Sequence, residues 1–396
     1  MKNKARFLVI AVVALFSLAC GKKGETPPVK TEVIEGITHV YNTENPVRGR
    51  FPLEAVEVLR IDPAALDSEN PPLFGVAVKD VAGNLYLADA GAVRALKLDA
   101  RGALLARFLR KGEGPGEFPR FGGLQIAGDR LWVIGNWPMK IAEFTLDGEY
   151  VREWKFRTIR NFYLQTQVID ESRFLTVRYR DRGENQAPVR VSALIDPNEA
   201  ILTTYYEDEQ AGIFRIRTGQ AEGPAVASTN PLIAADIHQA YDRHSGVVYV
   251  CNNRDYVIQA KNLDGTARLV IHKACRNIAL DADTKDGLFQ LIAPKLPPEA
   301  RLKAGEQLPA ALNAIFGLAV LPNGNLAVTR ITGLESVEID VFDADGRFLA
   351  TVLPSASVPD LRSIVIYGET IGVIADQGEK TYYLEFKTAA MKGILF

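Results

Sequence analysis

Short apolar runs recur along the chain, each bounded by polar or turn-forming residues. Such runs are too short for helices and are typical of buried β-strands. The starts of six related runs are separated by 46, 43, 74, 78 and 45 residues. Three of these spacings match the roughly 40–50-residue period of propeller blades. The six runs cover residues 84–89, 130–135, 173–178, 247–252, 325–330 and 370–375.

A second kind of segment follows most of these runs. It consists of a hydrophobic residue, then Asp, then mostly Gly, as in Leu146-Asp147-Gly148, and this is the chemistry of a tight hairpin turn. Each unit is therefore predicted to hold four antiparallel strands, and six units predict an all-β, six-bladed β-propeller. The sixth unit, residues 361–387, lacks an outer strand. We expect stretch 37–41 or 53–59, within a ring-closing region 32–62, to complete it.

A family resemblance appears in the first unit. Residues 83–89, followed by Leu98-Asp99 and by residues 112–119 (GEGPGEFP), resemble an NHL-type repeat, as found in bacterial six-bladed β-propeller lipoproteins. The resemblance extends over residues ~35–390 and is sharp in the first two blades. In that family the repeat specifies the architecture while bound partners differ, so the resemblance implies a scaffold without naming its partner. We expect the propeller domain to span residues 32–390.

The N-terminus has the pattern of an export signal over residues 1–19. Three basic residues precede an apolar run at 7–18, which is shorter than the roughly 20 residues of a membrane-spanning helix. Removing this segment would leave a net charge of −5. A surface of that sign does not attract anionic lipid headgroups, so any membrane attachment must depend on a lipid.

The signal ends at Ser17-Leu18-Ala19-Cys20, which resembles the lipobox of bacterial lipoproteins, although Ser17 stands where that motif usually has Leu. The resemblance implies that Cys20 carries a diacylglyceryl group. Gly21 is not the Asp of an inner-membrane retention signal, so the resemblance also implies an outer-membrane protein facing the periplasm. An ordinary cleaved signal is the alternative. Residues 20–31, polar with two prolines, are predicted to form a flexible tether.

Composition narrows the function classes. The 46 Lys and Arg residues nearly balance the 48 Asp and Glu residues, so no nucleic-acid partner is expected. A hydrophobic content of 47% supports a packed core. Three Cys and four His leave little room for a zinc cluster or an iron–sulfur centre, and we predict no cofactor and no metal.

The local motifs each have a structural explanation. Residues 112–118 are rich in Gly but lack the Lys-Ser/Thr of a P-loop, so they are predicted to connect two blades. His238 and His244 lie six residues apart, where either a metal or acid–base role or a purely structural role is open. Cys251 and Cys275 are expected two strands apart, near 10 Å, beyond the roughly 7 Å limit for a disulfide. A kink would be needed to bridge them, so their pairing stays open.

Topology suggests where a binding site lies. In a four-strand meander, the turns between second and third strands share one face with the blade-to-blade links. Two long insertions, 203–230 and 280–314, fall in those links, and the second includes a short predicted helix that begins at Pro298. We call this the insertion face. The residues at or beside the ends of the second strands, our candidate partner-binding residues, are Asp89, Asn136, Trp137, Arg178, Asn252, Arg330 and Asp376.

Arg178, Arg330 and Trp137 are expected to matter most, because Arg and Trp dominate binding hot spots. Arg180, Asp181, Asn253 and Arg254 lie beside the candidate positions. The alternative is that these polar residues only cap turns and pair across blades.

The sequence favours a lipid-anchored, non-enzymatic binding or scaffold protein of the bacterial envelope. Its insertion face would meet a protein, peptide or glycan partner. The alternative is a metal-dependent periplasmic lyase or lactone hydrolase that resembles the gluconolactonase or peptidyl-amidating lyase propellers. In that case Asp89, Asn252 and Asp376 would supply oxygen ligands to a divalent metal. A third possibility is a structural subunit of an envelope assembly.

Overall fold

A computed structural model describes residues 29–52, 56–89, 91–136, 139–156, 164–183, 188–210, 214–217, 225–228, 230–353, 361–367, 370–377 and 380–387. Within these ranges, no helix is long and apolar enough to cross a membrane. Four strands and one helical turn precede the first blade. They are β1 (Lys30–Ile34), β2 (Ile37–Asn42), β3 (Arg50–Pro52), β4 (Val56–Ile61) and α1 (Pro63–Leu66).

Three four-stranded antiparallel sheets follow in chain order, and we number them blades I to III. Blade I contains β5 (Phe74–Lys79), β6 (Leu85–Asp89), β7 (Arg94–Leu98) and β8 (Leu104–Phe108). Blade II contains β9 (Phe121–Ala127), β10 (Arg130–Asn136), β11 (Met139–Thr145) and β12 (Tyr150–Lys155). Blade III contains β13 (Leu164–Asp170), β14 (Arg173–Arg180), β15 (Val189–Ile195) and β16 (Ile201–Asp208).

A separate hairpin, β17 (Phe214–Arg217) with β18 (Ala225–Ser228), stands between blades III and IV. Blade IV contains β19 (Ile237–Asp242), β20 (Val247–Asn252), β21 (Val257–Asn262) and β22 (Ala267–Lys273). The helices α2 (Ala282–Ile292) and α3 (Pro298–Gly305) come next. Blade V contains β23 (Ile315–Val320), β24 (Leu326–Ile331), β25 (Val337–Phe342) and β26 (Phe348–Leu353). Blade VI contains β27 (Leu361–Tyr367), β28 (Thr370–Gln377) and β29 (Lys380–Lys387), completed by β4.

The predicted six-bladed β-propeller with two long blade-to-blade insertions, the second partly helical, is confirmed. Residues 203–208 belong to the outer strand of blade III, so the first insertion begins after Asp208. In the second insertion, Asp281 caps α2 by accepting a hydrogen bond from the Thr284 amide at 2.9 Å. Lys30 and Thr31, at the end of the predicted tether, belong to β1.

The N-terminal strands form a belt around the outside of the ring. β2 pairs in parallel with β22 of blade IV, β3 pairs in parallel with β26 of blade V, and β4 pairs antiparallel with β29 of blade VI. The closing strand is therefore β4, and β2 covers the outer edge of blade IV instead. Each pairing removes an exposed strand edge.

Side-chain contacts, in addition to backbone pairing, hold the belt against the blades. His39 Nδ1 lies 2.9 Å from His272 Nε2, and the ring centroids of Tyr41 and His272 are 4.5 Å apart. Asn42 donates from Nδ2 to the Gly346 carbonyl at 2.9 Å and accepts from the Phe348 amide at 2.8 Å. These contacts join residues more than 200 positions apart, so local sequence patterns carry no sign of them.

The hydrophobic core lies between the blades. All five residues of β6 and all seven of β15 are buried, as expected for middle strands that pack on a neighbouring blade through both faces. Blades I and VI are joined across the ring closure by Lys79 and Glu385, whose Nζ and Oε2 atoms are 2.5 Å apart. The ring is thus a continuous wall of apolar layers around a central channel.

Candidate functional site

A cavity of about 530 Å³ occupies the central channel, lined by the inner strands of blades II to V. Leu124, Leu318 and Val320 give it apolar walls, while Gly122 and Gly123 expose backbone. Among the described residues that line it, Tyr241 has the only ionisable side chain. A small, mostly neutral cavity of this size suits a compact ligand or one anchoring group of a larger partner.

Glutamine side chains join the inner strands of successive blades. An inner strand has no hydrogen-bonding neighbour on its channel side, so its backbone groups need other partners. Gln125 donates to the Val168 carbonyl at 3.0 Å and accepts from the Val168 amide at 2.7 Å. Gln167 accepts from the Tyr241 amide at 3.0 Å. These amides link blade II to blade III and blade III to blade IV without introducing charge.

Gln165 lies at the insertion-face end of the channel in an unusual backbone conformation. Its φ of 52° is in the left-handed region, and the register of β13 against β14 shifts between Leu164 and Gln167. Non-glycine residues adopt this region at an energetic cost, and such bulges re-aim side chains. The re-aimed amide of Gln165 donates to the Ile237 carbonyl at 3.1 Å and lies 3.2 Å from His238 Nδ1.

His238 is buried and neutral. An amide nitrogen only donates hydrogen bonds, so Nδ1 of His238 accepts from Gln165 and the ring proton resides on Nε2. Burial, together with the positive charge of Arg190, lowers the pKa of His238 to about 4. Cys251, opposite His238 on β20, is buried as a free thiol with a pKa raised by burial. Cys275 is also free.

Arg190 and Asp236 complete a polar cluster with His238 between blades III and IV. Arg190 Nη1 is 3.1 Å from Asp236 Oδ1, and burial raises the pKa of Asp236. Nearby, Arg254 pairs with Asp208 at 2.7 Å. Sequence reasoning missed this cluster because it considered the ends of second strands. Gln165, Arg190 and His238 are instead the second residues of β13, β15 and β19, which all begin on the insertion face.

Two of the predicted site residues form local turn contacts. Asp89, 2% exposed, accepts from the Gly91 amide at 3.0 Å and from Arg94 Nε at 2.7 Å. Asn252 accepts from the Arg254 and Asp255 amides at 2.9 and 3.0 Å. Both thus act as the turn-capping residues that the alternative interpretation described.

Arg330 belongs to a buried charge cluster between blades IV and V. Its Nε lies 3.2 Å from Asp340 Oδ2, and its Nη2 pairs with Glu338. Asp340 is fully buried and also accepts from the Tyr256 hydroxyl at 2.7 Å, while Lys273 Nζ is 3.3 Å away. Burial and the negative charge of Asp340 raise the pKa of Tyr256 well above its ordinary value. These contacts engage Arg330 within the protein.

The other predicted residues differ in how far the structure describes them. Arg178 is 9% exposed and donates from Nη1 to the Glu199 carbonyl at 3.0 Å, in the turn between β15 and β16. That contact directs its guanidinium away from the insertion face. Trp137 and Cys20 lie outside the described residues, and for Asn136 and Asp376 only the backbone is described. Within the described part, no three His, Cys, Asp or Glu side chains are grouped as metal ligands.

The fold defines the class: the chain is a six-bladed β-propeller. No protein-family model and no curated protein matches the sequence. A protein from Bacteroides fragilis described as exported is similar in structure, with a TM-score of 0.51 and 11% identity over 88% of this chain and 98% of that one. A member of the DUF4221 family from Bacteroides vulgatus gives a TM-score of 0.53 and 10% identity, over 84% and 98%. At these identities the similarity establishes the fold alone.

Proposed function

We propose that this chain is a lipid-anchored, non-enzymatic binding protein of the bacterial envelope, held by Cys20 at the periplasmic side of the outer membrane. Its partner, a protein, peptide or glycan, meets the insertion face and places one compact group in the central channel. The export-signal pattern, the lipobox resemblance and the NHL-type repeat support this proposal. Similarity in fold to a protein described as exported agrees with a location outside the cytoplasm.

One observation carries the proposal: the cavity of about 530 Å³ reaches Gly122 and Gln165, near the insertion-face ends of β9 and β13, and continues along the channel to the opposite-face halves of β19 and β23. Its neutral, partly apolar lining favours burial of a compact group over binding of a highly charged one. Phe316, 47% exposed at the insertion-face end of β23, adds an apolar contact at the same end. Asn253, in the turn after β20, and Asn313, in the second insertion, both donate to the Ala234 carbonyl at 2.9 Å, so they tie the second insertion to the insertion face of blade IV.

Photocrosslinking in intact cells tests the proposal. A photoreactive amino acid replaces Phe316 in one strain and Val81 in another, because Val81 is fully exposed in the turn between β5 and β6 on the opposite face. We expect a discrete crosslinked product from position 316 and none from position 81. Equal capture at both positions, or none at 316, would contradict binding at the insertion face. A stoichiometric divalent ion in the purified protein would favour the enzymatic alternative instead.

A further inference from the structure

Two buried hydrogen-bond donors lie together at the insertion-face end of blades III and IV. Arg190 is 5% exposed and His238 is 7% exposed. Arg190 Nε and His238 Nε2 have no hydrogen-bond partner among the described residues. A buried N–H group without an acceptor is destabilising, so two such groups in one polar cluster need an explanation.

The surrounding residues hold these donors in fixed positions. Gln165 occupies Nδ1 of His238, which leaves the proton on Nε2, and its left-handed backbone brings the amide to that place. The Tyr179 ring lies under Arg190, with its centroid 5.6 Å from the guanidinium carbon. Strain at Gln165 and unpaired donors at Arg190 and His238 are separate observations. Gln165 lines the cavity and contacts His238, so it connects the two donors to the channel.

We propose that Arg190 and His238 form a carboxylate-binding subsite at the insertion-face end of the contact between blades III and IV, with Gln165 as the positioning residue for His238. The proposal rests on the proposed function, since it names the chemistry of a partner group that binds at the insertion face beside the neutral channel. A carboxylate accepts hydrogen bonds only and has two oxygens, so it matches one guanidinium fork and one imidazole N–H.

The position of Asp236 indicates how a ligand carboxylate would reach Arg190. Its carboxylate already contacts Arg190 Nη1 at 3.1 Å, and both unpaired nitrogens are covered by protein atoms. A ligand carboxylate would therefore displace Asp236 from the guanidinium and bind in its place. A neutral carbonyl has no charge with which to replace Asp236, so carboxylates are favoured over their amides.

Paired small probes test the subsite in solution. N-acetylglycine and N-acetylglycinamide differ only in carboxylate against amide, and glucuronate and glucose compare a carboxylate with a hydroxymethyl group on a sugar. Affinities come from ligand-observed NMR, and the ring nitrogens of ¹⁵N-His-labelled protein report on His238. We expect at least one carboxylate to bind ten times more tightly than its neutral counterpart and to shift the His238 Nε2 signal. The peptide and sugar arms distinguish the source of the carboxylate.

Variants localise the effect. Arg190→Lys keeps the charge opposite Asp236 but loses the planar fork, and should weaken carboxylate binding at least fivefold. Arg130→Gln is the control, because Arg130 lies on the opposite face and pairs with Glu143 at 3.0 Å. Equal binding of acid and amide would overturn the subsite, and so would no binding of any probe. Carboxylate binding that leaves the His238 signal unmoved and keeps full affinity in Arg190→Lys would overturn it as well. Capture at position 316 would stand in any of these cases, so the two proposals fail separately.

Discussion

Buried His238 should make the propeller sensitive to mild acid. The unfolded chain takes up a proton on this imidazole near pH 6.5, whereas burial holds the pKa of folded His238 at about 4. Between these values the unfolded state binds more protons than the folded state, so the free energy of unfolding falls as the pH falls. The effect is absent above about pH 7.5 and complete below about pH 3, one unit under the folded pKa.

The size of the effect follows from the two pKa values. A pKa lowered from 6.5 to about 4 corresponds to about 3 kcal/mol once both states are protonated, at 1.36 kcal/mol per pH unit. Between pH 7.5 and pH 5.0 the expected loss is about 2 kcal/mol. That is a large share of the ~5–15 kcal/mol stability of a typical domain.

Denaturant unfolding at a series of pH values, followed by tryptophan fluorescence, measures this loss. His238→Gln cannot be protonated and should flatten the pH dependence by about 2 kcal/mol between pH 7.5 and pH 5.0. His244→Gln is the matched control, because His244 is exposed on the same blade. His272, whose pKa is also lowered by burial and by His39, contributes equally to all three proteins. Identical pH dependence in wild type and His238→Gln would refute the reasoning.

Three further predictions concern the anchor, the belt and the packing of neighbouring blades. Cys20→Ser should abolish membrane attachment, and fractionation with membranes at the wild-type level would show that another anchor operates. Deleting residues 31–62 removes β2, β3 and β4 and exposes three strand edges. Calorimetry should therefore show a lower melting temperature, a less cooperative transition and aggregation. An unchanged thermal transition would contradict the role of the belt. Gly148→Ala should lower the free energy of unfolding by about 2–4 kcal/mol, because φ is +89° and the added Cβ would lie 2.8 Å from Phe108 Cγ. Gly128→Ala is the control: φ is +63° and the added Cβ would meet open space, so the free energy of unfolding should fall by about 1–2 kcal/mol. Equal losses in the two variants would refute the packing argument.

The architecture could be predicted because it is encoded locally. Each blade repeats an apolar middle strand, and in most blades a turn that begins with Asp follows it. Six such units, the last without an outer strand, favour a ring closed by the N-terminal region. Which N-terminal stretch closes the ring could not be read from the sequence. Both 37–41 and 53–59 have strand patterns, and the choice depends on pairings with β22 and β29 more than 200 residues away.

The site was harder to predict because polar residues at strand ends serve two purposes. Asp89 and Asn252 satisfy the backbone amides of their own turns, which sequence alone could not distinguish from ligand contacts. The Arg190–His238 cluster joins residues 48 positions apart on different blades. Its only sequence signal is a polar residue at the second position of β13, β15 and β19, which begin on the insertion face.

The most direct measurement of the central claim is partner capture from position 316 in a protein whose channel is filled. Ala319 is exposed within the cavity, so Ala319→Trp should occupy that space without disturbing the interblade core. Val81→Trp places the same side chain on the opposite face as the control. We predict that Ala319→Trp abolishes the crosslinked product at an unchanged melting temperature while Val81→Trp leaves it intact. Undiminished capture in Ala319→Trp would contradict binding in the channel.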